Sequence, residues 1–409
     1  MASIQESPHP LVFKVRNGSA LGLGIEGLDD AINVRTRVRA LEGMQKEVSV
    51  EYGPTGDIWR MVCDEGPYLN GTDLAPFPLS FFTAGLVSSY MSEILALAKE
   101  KGVAINRIGL TQDNRYTMDG SAIKGTMTGG AKPVEIWADI DSDASDDVLN
   151  GILLQAIIAA PGNAVLRNVL TSEFTSTKNG QPLSVNQVKA LDEPVVSADE
   201  ALFDALEPAS RGEFADDIIV KLESAETVFN VEGGAGSSLQ AEQKRELHVR
   251  GICTIREDGL KEISTQLFKP IGSVFRFLSD DSQRFGGHGR APSGLAFLST
   301  GIALCYMTQL GRFAHIMKRD LTGYAIVQDT RFDLPGISGG TGKEPKCDPV
   351  KTHAHVTMSD PDDVAQTLIA MGEQTCFLHA TCRTALKTKV HIRTPAPEAT
   401  QAAEQIHLQ

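Results

Sequence analysis

This chain of 409 residues contains a copy of itself. Residues 75–91 read APFPLSFFTAGLVSSYM, and residues 291–307 read APSGLAFLSTGIALCYM, at an offset of 216. The same offset carries Arg60 onto Arg276, Asp64 onto Asp280, Asp113 onto Asp329 and Arg167 onto Arg383. No gap is needed from Ile58 and Val274 to Leu170 and Leu386. Solenoid repeats have periods of about 20–50 residues, so this longer period is a duplicated domain. Whatever order of strands and helices one copy forms, the other must form as well. The copies part where chemistry can sit: Ser89 stands opposite Cys305, and Ala160 opposite Cys376.

Composition, at 42% hydrophobic and 22% charged, is that of a globular protein. Each half is long enough to bury a core of its own. The net charge of −14 and a pI near 5.1 argue against nucleic acid or an anionic membrane surface as partner. No unbroken apolar run reaches the length of a bilayer crossing, so no membrane span is expected. The opening MASIQESPHP lacks a basic segment followed by an apolar one, so no signal peptide is expected either. The six cysteines are Cys63, Cys253, Cys305, Cys347, Cys376 and Cys382, none of them duplicated between copies. They suit a reducing, cytoplasmic setting in which a disulfide is catalytic rather than structural.

Alternating segments at 32–39, 48–52 and 58–63 predict strands. A long apolar helix is expected at 79–99, then strands at 105–118 and 134–140, then a helix from the acidic group at 145–147 to about 170. The second copy reads alike: strands at 248–256, 262–268 and 274–278, a helix at 295–318, strands at 324–332 and 352–357, a helix at 361–385 and a closing strand at 387–392. The expected domains are 10–180 and 241–393, joined by a linker and crossover at 181–240. An Ala/Gln/Glu-rich tail at 394–409 is expected to be disordered. The fold class is α+β. The long helices are apolar on every side, so the halves should pack helix to helix as an intramolecular pseudo-dimer with one core.

The stretch 280–305, DDSQRFGGHGRAPSGLAFLSTGIALC, resembles the OsmC/Ohr superfamily: an acidic residue, a Gly-Gly turn, a proline turn, and a long helix bearing a thiol. Cys376-Phe377-Leu378 resembles the setting of that family's second thiol. The resemblance spans roughly 30–170 and 245–393, and implies two tandem OsmC-like domains with antiparallel sheets and long buried helices. It further implies a thiol-dependent hydroperoxide reductase, with Cys305 peroxidatic and Cys376 resolving. A thiolate would cleave the O–O bond and become a sulfenic acid. The second thiol would condense with it to a disulfide, and an external dithiol would restore the pair. No cofactor is implied; the partners are a small organic substrate and a dithiol reductant, and a homodimer of the pseudo-dimer is left open.

The first thiol needs a cation nearby. The family's arginine precedes a glycine in an early hairpin, and Arg256 is the best match. Arg276 is a second candidate, beside its plainer reading as an ion-pair partner of Asp280, as Arg60 would be of Asp64. His379 is three residues from Cys376 on one helix and is a candidate general base. The family's carboxylate after the turn proline has no match in Pro292-Ser293-Gly294-Leu295, nor in Pro76-Phe77-Pro78-Leu79.

Two other functions fit the same residues. One is a hydrolase or lyase in which Cys305, helped by His379, attacks a carbonyl of a small organic substrate. The other is a non-catalytic binder of small ligands. Cys347, His353, His355, Cys376, His379 and Cys382 invite a metal, but a Cys-x2-His-x2-Cys set within one helix splays its ends, and no metal is expected. The G-x-G-x-x-G at 22–27 precedes an alternating segment rather than a helix, and the GGTGK at 339–343 continues with Glu344, so both read as turns. Asp113 to Arg115 and Asp329 to Arg331 read as a repeated strand-end turn.

Overall fold

The computed structural model describes residues 3–209, 217–225 and 243–393. The glycine-rich joint at 233–238 and the tail at 394–409 lie outside them. The first copy runs β1 (Val12–Lys14), β2 (Ala31–Ala40), β3 (Lys46–Tyr52), β4 (Asp57–Cys63), α1 (Pro78–Glu100), β5 (Arg107–Gly120), β6 (Thr128–Ala131), β7 (Glu135–Asp141), α2 (Asp146–Ala159), α3 (Ala164–Arg167) and β8 (Ser172–Lys178). Short strands β9 (Gln181–Leu183), β10 (Lys189–Ala190) and β11 (Ile219–Glu223) follow. The second copy runs β12 (Gln243–Ile255), β13 (Lys261–Lys269), β14 (Ile271–Ser279), α4 (Gly294–Ile316), β15 (Leu321–Asp333), β16 (Val350–Met358), α5 (Asp362–Thr375), α6 (Phe377–Cys382) and β17 (Lys389–Arg393). The offset of 216 maps α1 onto α4 and α2 onto α5 end for end.

Each sheet draws strands from both copies. One has the order β1-β4-β3-β2-β15-β16-β8-β10, with β9 on β8; the other is β11-β14-β13-β12-β5-β7-β17, with β6 on β5. The three-stranded meander of one copy is thus continued by the later strands of the other. The join is antiparallel in both sheets, β2 on β15 and β12 on β5, and the outer pairs are parallel, β16 with β8 and β8 with β10 in one sheet and β7 with β17 in the other. Matched ion pairs cross the joins: Arg35 grips Asp329 at 2.7 and 2.8 Å, and Arg250 grips Asp113 at 2.8 and 2.9 Å. The two aspartates therefore sit inside long strands, not in the strand-end turns expected from the sequence. A turn reading failed because a charged residue within an alternating strand looks like a stop when its partner lies in the other copy.

Both long helices lie between the sheets, α1 against β12, β13 and β5, α4 against β2, β3 and β15, and each against the other. By length and composition either is apolar enough to cross a bilayer, which the unbroken-run criterion missed; here 83% and 94% of those apolar windows are buried in protein. The helices meet through glycine. A Cβ on Gly85 would stand 2.4 Å from the Gly294 oxygen and 2.4 Å from the Leu298 nitrogen. A Cβ on Gly301 would stand 2.5 Å from the nitrogen of Phe82, the counterpart of Leu298. The contact repeats across the pair, as an isologous interface requires.

Candidate active site

Cys305 lies midway along α4, and Cys376 sits in the break between α5 and α6. The sequence predicts one helix over 361–385; the break has a precedent in the first copy. There Ala160 precedes Pro161, a position driven out of the helical region, and takes φ −74° and ψ 126°. Cys376 takes φ −70° and ψ 121° without a proline. Its sulfur caps the new helix, accepting the His379 N–H at 3.4 Å. The Cys376 and Cys305 side chains hydrogen-bond to each other. Burial first, and then that bond, push the Cys376 thiol well above the ordinary range, so its proton stays in place. All six cysteines are free thiols.

Cys305 opens onto a cleft of about 340 Å³, counting the part open to solvent, built by both copies. Leu69, Leu79, Leu247 and Leu267 make it apolar on one side. The other side holds buried polar groups. Tyr68 donates to Glu65 Oε2 at 2.8 Å. Burial raises the Glu65 carboxyl above its usual range, opposed by Lys46, the Tyr68 hydrogen bond and Arg312. Arg245, at the start of β12, is brought down to about 9 by burial and by Arg312 beside it. Arg312, two turns beyond Cys305 on α4, is lowered by burial, while Glu65, Tyr68 and Cys305 act the other way. Arg245 thus lines the cleft and Arg312 acts electrostatically on Cys305, the kind of cationic neighbour a reactive thiol needs.

The offset maps this cleft onto a second one of about 330 Å³. Ser89 replaces Cys305, Ser92 replaces Thr308, Asp281 replaces Glu65 and Pro161 replaces Phe377. Ser89 Oγ accepts the Gly162 N–H at 3.2 Å. A matching arginine contact recurs: Arg383 donates to the Gly129 oxygen at 3.1 Å, and Arg167 to the oxygen of Pro345, the counterpart of Gly129.

The structure therefore brings Cys305 and Cys376 together and places the expected cations elsewhere. Arg256 sits at the β12–β13 hairpin, 3.1 Å from Asp258 and 4.0 Å from Glu262. Arg276 donates to the Asp217 oxygen at 2.5 Å and lies 3.9 Å from Glu262. It does not pair with Asp280, which takes Arg290 at 3.0 Å, and Arg60 pairs with Glu47 at 2.7 Å rather than with Asp64. The His379 ring stacks on Tyr306 with centroids 5.3 Å apart, and burial lowers it to about 3, so only its backbone N–H reaches the thiol pair. The carboxylate that lines the cleft is Glu65, from the other copy. Two signals pointed to the overlooked residues: the acidic pairs Asp64-Glu65 and Asp280-Asp281 recur, and Arg312 stands opposite Ala96, an asymmetry like that of Cys305 and Ser89.

Residues 287–391 match the family model described as OsmC-like protein, so this part of the chain is an OsmC-like domain. Among solved structures, the chain is similar to an OsmC-like hydroperoxide resistance protein from Jannaschia sp. CCS1. The identity is 21%, over 32% of this chain and 83% of that one, with a TM-score of 0.19. No curated protein matches.

Proposed function

We propose that this protein is a thiol-dependent peroxidase acting on organic hydroperoxides at Cys305. The observation that carries the reading is the contact of the Cys305 and Cys376 thiols beside a cleft lined by Arg245 and Glu65, with Arg312 acting electrostatically on Cys305. The OsmC-like match over 287–391 agrees with it. The Cys305 thiolate attacks one oxygen of ROOH. An S–O bond forms, the O–O bond breaks, and the alkoxide takes a proton and leaves as ROH. Cys305 is then a sulfenic acid. The Cys376 sulfur attacks it: the S–S bond forms, the S–O bond breaks, and the hydroxide leaves as water with the Cys376 proton. An external dithiol reduces the disulfide and is itself oxidised. The leucine side of the cleft suits an organic R group.

On this reading the chain is a pseudo-dimer of two OsmC-like units, 10–180 and 241–393, with one working site. One equivalent of cumene hydroperoxide should consume two thiols per chain and yield a Cys305–Cys376 disulfide in a peptide map. Cys253, Cys347 and Cys382 should stay reduced. Turnover should vanish in both Cys305→Ser and Cys376→Ser. A Cys305 that stays reduced under excess peroxide overturns the proposal.

A further inference from the structure

The cleft at Ser89 is not closed. It runs into a groove of about 1200 Å³, again counting open solvent, and Ser92, Asp281, Phe285 and Ser338 line both. The groove lies between the C-terminal half of α1, the β12–β13 hairpin and the loop after β14. Beside the thiols the corresponding region is built differently. Arg312 stands there in place of Ala96, and the segment around Ile4 and Gln5 closes over it through hydrogen bonds to Gln45 at 2.7 and 2.8 Å.

The carboxylates on the floor of the open groove are paired, Asp280 with Arg290 at 3.0 Å and Asp281 with Lys261. Lys261 Nζ reaches Asp281 Oδ2 at 2.5 Å and Ser92 Oγ at 2.7 Å, and Ser92 donates to Asp281 at 2.6 Å. The Lys261 side chain is 5% exposed and that of Asp281 22%. Glu93, the next carboxylate inward, already accepts the N–H groups of Ile337 at 2.8 Å and Ser338 at 3.2 Å. Leu95, Ala96, Ile255, Phe285 and Ile337 supply apolar walls, while Lys99 and Glu100, of opposite sign, stand at the edge. An ionic ligand would have to compete for a half-desolvated ion pair, and stripping one member of such a pair is costly. A neutral group that both gives and takes a hydrogen bond leaves the pair whole and satisfies it further.

We propose that this groove is a second, non-catalytic binding site for a neutral organic alcohol, its apolar body on the walls and its hydroxyl at Ser92 and the Lys261–Asp281 pair. An alcohol is also what the reaction proposed above releases, and the choice of alcohols as the ligand class rests on that reading to this extent. The site itself rests on the groove.

The test uses the full chain and three probes of one shape: benzyl alcohol, benzylamine and benzoate, titrated by calorimetry and ligand-observed NMR. Benzyl alcohol should saturate one site per chain and bind at least about tenfold more tightly than either ion. Cys305→Ser should leave that binding unchanged. Ala96→Arg, which puts the guanidinium of the other copy into the groove, should weaken it about tenfold or more while cumene hydroperoxide turnover is retained. Ala96 is only partly buried, so the longer side chain has room to be accommodated. Asp281→Asn leaves Lys261 uncompensated and should turn the preference to benzoate. Absence of saturable alcohol binding, equal binding of the ions, or indifference to both substitutions overturns the proposal. Absence of cumene hydroperoxide turnover in the unsubstituted chain, with alcohol binding intact, would instead overturn the peroxidase reading alone.

Discussion

Replacing Gly85 with alanine tests the centre of the molecule. The new Cβ would lie 2.4 Å from two backbone atoms of α4, where ordinary contact begins at 3.4 Å. Backbone cannot swing aside as a side chain can, so α1 and α4 must part by roughly 1 Å, at a cost near the upper end of the usual 1–3 kcal/mol for overpacking. Alanine returns about 1 kcal/mol of helix propensity. The net loss is about 2 kcal/mol. Gly301→Ala meets the mirror contact and should cost the same. The double variant should cost only about 1 kcal/mol, less than either single one, because the helices need to separate once while helix propensity is returned twice; that is a coupling of about 3 kcal/mol. Gly151→Ala on α2, with no atom within 4 Å of its Cβ, is the control and should gain up to about 1 kcal/mol. Urea unfolding can follow both sheets separately, because Trp59 lies on β4 and Trp137 on β7. Interleaved sheets should melt together in one transition. Equal stability of Gly85→Ala and Gly151→Ala, strict additivity in the double variant, or separate transitions for the two tryptophans would refute the reasoning.

Four further outcomes are expected. Cys376→Ser, treated with excess peroxide, should accumulate Cys305 as sulfenic and then sulfinic acid, readable by mass spectrometry. Ser89→Ala should leave turnover within about threefold of wild type, since it removes no reacting group. Arg245→Met should slow the reaction of Cys305 with peroxide about a hundredfold, as loss of one preorganised charge usually does, in stopped-flow measurements. His379, lowered to about 3, and His353, lowered to about 4, are both depressed bases. Their contribution to stability is fully present above pH of about 6.5 and is lost as pH falls toward those values, at up to about 1.4 kcal/mol per pH unit for each group. His379→Phe should remove one such increment from an acid-denaturation series.

The elements were largely readable from the chain. The helix expected at 79–99 is Pro78–Glu100, and that expected at 295–318 is Gly294–Ile316. Their apolar character all round announced burial between layers. Strand partnership was not readable, because a repeat states that two copies share an order without saying whose strand each edge joins. That ambiguity hid the site. Cys305 and Cys376 belong to one copy and stood out by their asymmetry. Glu65 and Tyr68 reach the cleft from the other copy, so a search near the turn proline passed over them. Arg256 was singled out because a hairpin arginine is conspicuous, and Arg245 was passed over because a strand-start arginine is not. The helix break at Cys376 was invisible for a related reason: proline marks it only at Ala160 and Pro161.

The exchange of strands between the copies has a consequence for how such a chain can change over time. When two identical subunits share their sheets, every substitution occurs twice, once at each site, and neither site can change without the other. Covalent linkage lifts that rule. Ser89 can stand where Cys305 stands, and Ala96 where Arg312 stands, because each position is now encoded separately. The same exchange denies the halves any separate existence, since cutting them apart would strip each sheet of strands from the other copy. The two copies are free to diverge in what they bind and bound to remain together in how they fold.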